Sequence, residues 1–103
     1  MKFSFHPEAD AEFIAAVAYY EDCEIGLGLD HSREVYATIH NALDYPTLWP
    51  KVEDEVCRCL VHRFPYGVLY SIEPQGIFIL AVMHLHRDPD YWKHRLKTDR
   101  IID

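Results

Sequence analysis

The residues best suited to chemistry lie where an apolar run stops. Ile77 to Leu85 is almost wholly apolar, and it ends abruptly in His84, His86 and Arg87. Imidazoles exchange protons near neutral pH, because their ordinary pKa lies near 6.5. A guanidinium presents a planar fork that grips two oxygens of a phosphate or carboxylate. Tyr91 follows closely, and its phenol can stack on a base or supply a proton. Arg58, Arg63 and Arg95 are the further cations of this half of the chain that could contact a phosphate or a target. The same groups are also what any strand shows on leaving a core, and Trp92 beside them is suited to closing the core's open end.

Other constellations carry less. Cys57-x-Cys59 lacks the spacing of zinc ribbons and redox motifs. On a strand the two thiols share one face and His62 turns to the other, a poor geometry for chelation. Gly26-x-Gly28 falls between two helical patterns rather than after a strand, so it fails as a phosphate loop. No cofactor and no metal is expected.

Those residues are positioned by a pattern that runs through all 103 residues as one domain. Lys2 to Phe5 alternates and reads as a short strand, with Phe3 and Phe5 on one face. Pro7 suits the first turn of a helix, and Glu8 and Asp10 complement its positive end. Phe13, Ala16, Val17 and Tyr20 form one helical stripe, which Gly26-Leu27-Gly28 breaks. A second helix starts near Leu29 or Asp30, with Val35, Tyr36, Ile39, Ala42 and Leu43 as its stripe, and is ended by Pro46 and Pro50. The short break makes the pair an antiparallel hairpin. Strands then follow over Val56 to Phe64, Tyr66 to Glu73 and Ile77 to Leu85, the last two joined by a turn at Pro74-Gln75-Gly76. Asp88 and Pro89 open a short C-terminal helix carrying Tyr91, Trp92 and Arg95.

The expected fold is α+β, in the order β-α-α-β-β-β-α. The helical hairpin packs on one face of a small antiparallel sheet. The other face is expected bare, with His84, His86 and Arg87 gathered at its rim.

Charge divides unevenly. The net charge is −7, yet residues 1–55 hold three bases against twelve acids, while residues 56–103 hold seven bases against five. A solvated acidic helix face and a solvated basic tail account for this, and so does a local cationic site on an otherwise acidic body. No apolar run approaches the roughly 20 residues that span a bilayer, and the N-terminus lacks a signal peptide's apolar stretch. A cytoplasmic protein without membrane contact is expected.

At the level of whole segments the chain resembles the RelE/ParE superfamily of bacterial toxins. The resemblance rests on Phe5-His6-Pro7-Glu8-Ala9, Tyr19-Tyr20-Glu21, Gly26-Leu27-Gly28, Arg63 to Tyr70, Ile79 to His84 and Arg87 to Arg95, in that order and spacing. It implies the toxin half of a two-gene toxin–antitoxin module of the plasmid-stabilization kind, a cognate antitoxin as partner, and assembly as a homodimer or a toxin–antitoxin hetero-oligomer. RelE-like members cut messenger RNA on the ribosome, and ParE-like members are described as DNA gyrase inhibitors. Phe64-Pro65-Tyr66 and the Arg87-Asp88-Pro89-Asp90-Tyr91-Trp92 element look closer to the ParE branch, whereas the absence of lysine between Lys51 and Lys93 departs from the basic nucleases. Were RNA the substrate, His84 and His86 would serve as base and acid, with Arg58, Arg63 or Arg87 at the phosphate. A relative that only binds its antitoxin is the third reading.

Overall fold

A computed structural model of the protein describes residues 2–96. In chain order its elements are β1 (Lys2–Phe5), α1 (Pro7–Cys23), α2 (Leu27–Asp44), β2 (Lys51–Glu53), β3 (Val56–Leu60), β4 (Tyr66–Glu73) and β5 (Gly76–His84). The C-terminal helix does not open at Asp88 and Pro89 as expected: residues 89–93 form successive turns, and a helical turn covers residues 94–96. This is the α+β arrangement expected, with two further differences. The sheet has five strands in the order β1-β5-β4-β3-β2, and it is mixed rather than antiparallel, because β1 runs parallel to β5.

Local chemistry sets the element ends. His6 caps α1, its Nδ1 accepting from the Glu8 N–H at 3.0 Å, and Pro7 takes a position whose N–H needs no helical partner. The hairpin turn is braced by Glu21, whose carboxylate accepts from the N–H groups of Gly26 and Gly28. Those donors are otherwise orphaned at the start of α2, so an acid there also complements the helix's positive end. Gly26 stands at φ +90°, a conformation costly for any side chain. The helix therefore begins at Leu27, earlier than the sequence pattern places it.

The hairpin packs on one face of the sheet. Ala9 and Phe13 of α1 with Val35, Ile39 and Ala42 of α2 meet Cys57, Cys59, Val68, Tyr70, Ile77, Ile79 and Val82 of the strands. The expectation of a bare second face is corrected. Val56, Leu69, Leu80, Ala81 and Met83 on that face gather around Trp92, which is 1% exposed. The large indole covers several positions from one point, and Phe78, Tyr91 and Leu96 pack around the same cluster.

A bulge in β5 decides which side its end faces. Leu69 pairs with Ala81, but Tyr70 pairs with Ile79, so Leu80 is an extra residue in the strand. Strict alternation from Ile77 and Ile79 would put Val82 and His84 on the second face. The bulge inverts them, and Val82 joins the hairpin-side core. It also leaves the Leu80 carbonyl and the Val82 N–H facing outward beyond the end of β1, where pairing stops at Phe5 and Ile79.

Candidate functional site

Glu12 is the centre of a side-chain network joining α1 to the segment after β5, and it answers the open edge of β5. Its Oε1 accepts from the Val82 N–H at 2.8 Å. Arg95 Nη1 donates to the Leu80 carbonyl at 2.7 Å and to Glu12 Oε1 at 2.9 Å, and Nη2 reaches Glu12 Oε2 at 3.3 Å. The acid–base pair thus offers β5 the acceptor and donor that one more residue of β1 would have offered. Tyr91 donates its hydroxyl to Glu12 Oε2 at 2.8 Å, and Arg87 Nη1 stands 3.6 Å from the same oxygen. The Arg87 guanidinium lies 3.7 Å over the Tyr91 ring and that of Arg95 lies 5.0 Å from it. Two arginines and a phenol converge on one carboxylate.

Three of the expected site residues are redefined by this. Arg95 is 3% exposed and bound on two sides, so it is an internal brace, not a phosphate or target contact. Tyr91 is held protonated, because burial and then the Glu12 carboxylate raise its pKa. A hydroxyl so held keeps its proton near neutral pH and spends it on the Glu12 carboxylate. Arg87 reaches solvent, yet its fork is shared between Glu12 and the Tyr91 face.

The two histidines do meet. Their rings lie 5.3 Å apart, and His84 Nδ1 accepts from the His86 N–H at 3.1 Å. They stand on the hairpin side of the sheet, not at a bare rim, because His84 pairs with Tyr66 across the bulge-inverted end of β5. Arg58 sits on the opposite face. Its stem crosses Gly67, where an added Cβ would lie 3.2 Å from Arg58 Cγ and Cδ. The sheet therefore separates it from the imidazoles, and among the described residues no carboxylate pairs with it. Arg63, at φ 75°, reaches Asp30 at 3.4 Å and lies over the Phe64 ring. The expected cluster thus resolves into an imidazole pair, a braced arginine–carboxylate hub and two outlying cations.

Two functional groups escaped the sequence reading. Glu12 flanks the Ala9–Phe13–Ala16 stripe, and an acid against an apolar stripe was the only signal it gave. His31 opens the α2 stripe of Val35, Ile39 and Ala42. It is fully buried with neither ring nitrogen hydrogen-bonded, boxed by Tyr20, Phe64 and Tyr66 at 4.7–4.8 Å and Phe13 at 6.3 Å. Burial pulls its pKa down to about 4. The Tyr66 ring links it outward to His84, 5.2 Å away. Cys57 and Cys59 are free and buried in the hairpin-side core, and no group of His, Cys, Asp and Glu among the described residues is arranged to hold a metal. No helix among them is long and apolar enough to cross a membrane.

No protein-family model matches the chain, and no curated protein sequence matches it.

Proposed function

We propose that the protein is the toxin half of a bacterial toxin–antitoxin module and that it acts by binding its target, DNA gyrase in the ParE-like reading, rather than by cutting RNA. The carrying observation is the convergence of Arg87, Arg95 and Tyr91 on Glu12. Metal-free RNA cleavage needs an unencumbered cation beside its proton donors and acceptors. Here Arg95 is buried against the Glu12 carboxylate, Arg87 leans on that same carboxylate and on the Tyr91 ring, and Arg58 lies across the sheet. The helical hairpin and the sheet edge offer a contact surface. The hairpin, residues 7–44, carries nine acids and one base, Arg33, and β1 offers an unpaired outer edge. A basic antitoxin segment would be recognised by such a surface through charge and strand addition. The setting would be the cytoplasm, where gyrase and a neighbouring antitoxin are found.

Induced expression without the antitoxin tests this. Growth arrest, inhibited supercoiling by purified protein and intact messages in a translation reaction are the expected results. Messages cut by the wild type but not by the His84→Ala/His86→Ala variant would replace the reading with a ribosome-dependent endoribonuclease. Undisturbed growth would leave an inactive antitoxin-binding relative.

A further inference from the structure

The segment after β5 attaches to the body in an unusual way. Among the described residues, the backbone hydrogen bonds from Asp88 to Leu96 are local, each reaching a carbonyl three residues back: Tyr91 to Asp88, Lys93 to Asp90, Arg95 to Trp92 and Leu96 to Lys93. Among the described residues its backbone joins no strand ladder, and its contacts with the other elements are made by side chains. Trp92 fills the second face of the sheet among Val56, Leu69, Ala81 and Met83. Every base from residue 87 to 96 meets an acid contributed by another element: Arg87 and Arg95 meet Glu12, Lys93 meets Glu53 at 3.4 Å, and His94 meets Glu8 at 3.1 Å. Part of the uneven charge of the two halves of the sequence is thus met by contacts between them.

We propose that residues 87–96 form a releasable strap, latched electrostatically on Glu12 and opening independently of the rest of the fold. Segments without ladder hydrogen bonds open at a lower cost than the sheet they cover. The latch closes only while Glu12 is charged and its two guanidinium partners are in place, because either partner left alone in that part-buried setting is costly. Release does two things at once. It uncovers the apolar face of Val56, Leu69, Leu80, Ala81 and Met83, and it frees Arg87 and Arg95 from Glu12 and Lys93 from Glu53, leaving Lys93 paired with Asp90 of the strap itself. The protein therefore has a closed state with its cations satisfied and an open state that presents them beside an apolar surface. This holds whichever cellular target the protein has.

Amide hydrogen exchange on the whole protein, at fixed pH and 25 °C, tests the latch. In the wild type, amides of residues 91–96 should exchange at least ~10-fold faster than the ladder amides of Val68 to Tyr70, and raising NaCl from about 0.05 to 0.5 M should speed the strap severalfold without moving the ladder. Glu12→Gln keeps an acceptor for the Val82 N–H but removes the charge. It should speed strap exchange by a further ~10-fold and shift Trp92 emission, read in a Trp49→Phe background, toward that of an exposed indole. Strap amides exchanging with the ladder amides, insensitive to salt, would overturn the proposal in the wild type alone, so it does not depend on how well the variant folds. A folded Glu12→Gln protein with unchanged strap exchange would overturn it as well.

Discussion

His31 should make the protein lose stability as the pH falls below about 6.5, and the size of the loss follows from its box. Its ring is sealed among four aromatic side chains, of which Tyr20 and Tyr66 are the titratable ones, and both are neutral across the acid range. Burial lowers the folded-state pKa from 6.5 to about 4. The unfolded chain therefore binds a proton more readily than the folded one, and acid favours unfolding. Above the unfolded value both states are neutral and the group has no effect on the pH dependence. Between the two values stability falls by about 1.4 kcal/mol per pH unit, reaching a deficit of about 2 kcal/mol at pH 5 and about 3 kcal/mol below pH 4. Urea unfolding at pH 8 and pH 5, for the wild type and for His31→Phe, isolates the group, since every other titrating residue is common to both. The wild type should lose about 2 kcal/mol more than the variant on acidification. At pH 8 the variant should be no less stable, because it removes two buried ring nitrogens that have no hydrogen-bond partner. Parallel pH dependence in the two proteins would refute the reasoning, showing that His31 finds water or a partner in solution.

Three further outcomes follow from the geometry. Glu12→Leu alone should cost about 3–5 kcal/mol by leaving the buried Arg95 unpaired, and adding Arg95→Met should recover part of that loss; a double-mutant cycle by chemical denaturation measures the coupling. Gly76→Ala should break the pairing of β1 with β5, because an added Cβ would fall 1.7 Å from the Lys2 carbonyl oxygen at a φ of +155°, and faster exchange of the ladder amides between β1 and β5 would report it. In the folded protein Cys23 alone should react rapidly with a disulfide reagent at pH 8, since Cys57 and Cys59 are buried and burial pushes the Cys59 thiol up to about 11. Three fast thiols would contradict the packing of β3.

The strands and helices were legible where one periodicity ran unbroken. Lys2–Phe5, the start at Pro7 and Tyr66–Glu73 stand where alternation and helix-start chemistry put them. β2 was hidden because three residues after Pro50 give no period to read. The parallel pairing of β1 with β5 was hidden because local pattern carries no information about distant partners. The side on which His84 lies was lost to the bulge at Leu80, since an extra residue inside a continuous apolar run leaves no gap in composition. Of the candidate site, the residue types at the end of β5 could be read, as could the meeting of His84 with His86. The hub could not, because Glu12 is 70 residues from Val82 and 83 from Arg95, and only folding brings them together.

The partnership of the first strand with the last has a consequence for how the protein is made. Lys2–Phe5 and the apolar stripes of both helices wait for Gly76–His84 as their support. At a synthesis rate of roughly 5–20 residues per second, the leading end spends on the order of 4–16 seconds without it. A nascent chain halted anywhere before β5 therefore has no finished core and no hub, and a truncated product is a substrate for proteases rather than a weakened version of the whole. The core and the Glu12 hub are completed only once β5 has been made.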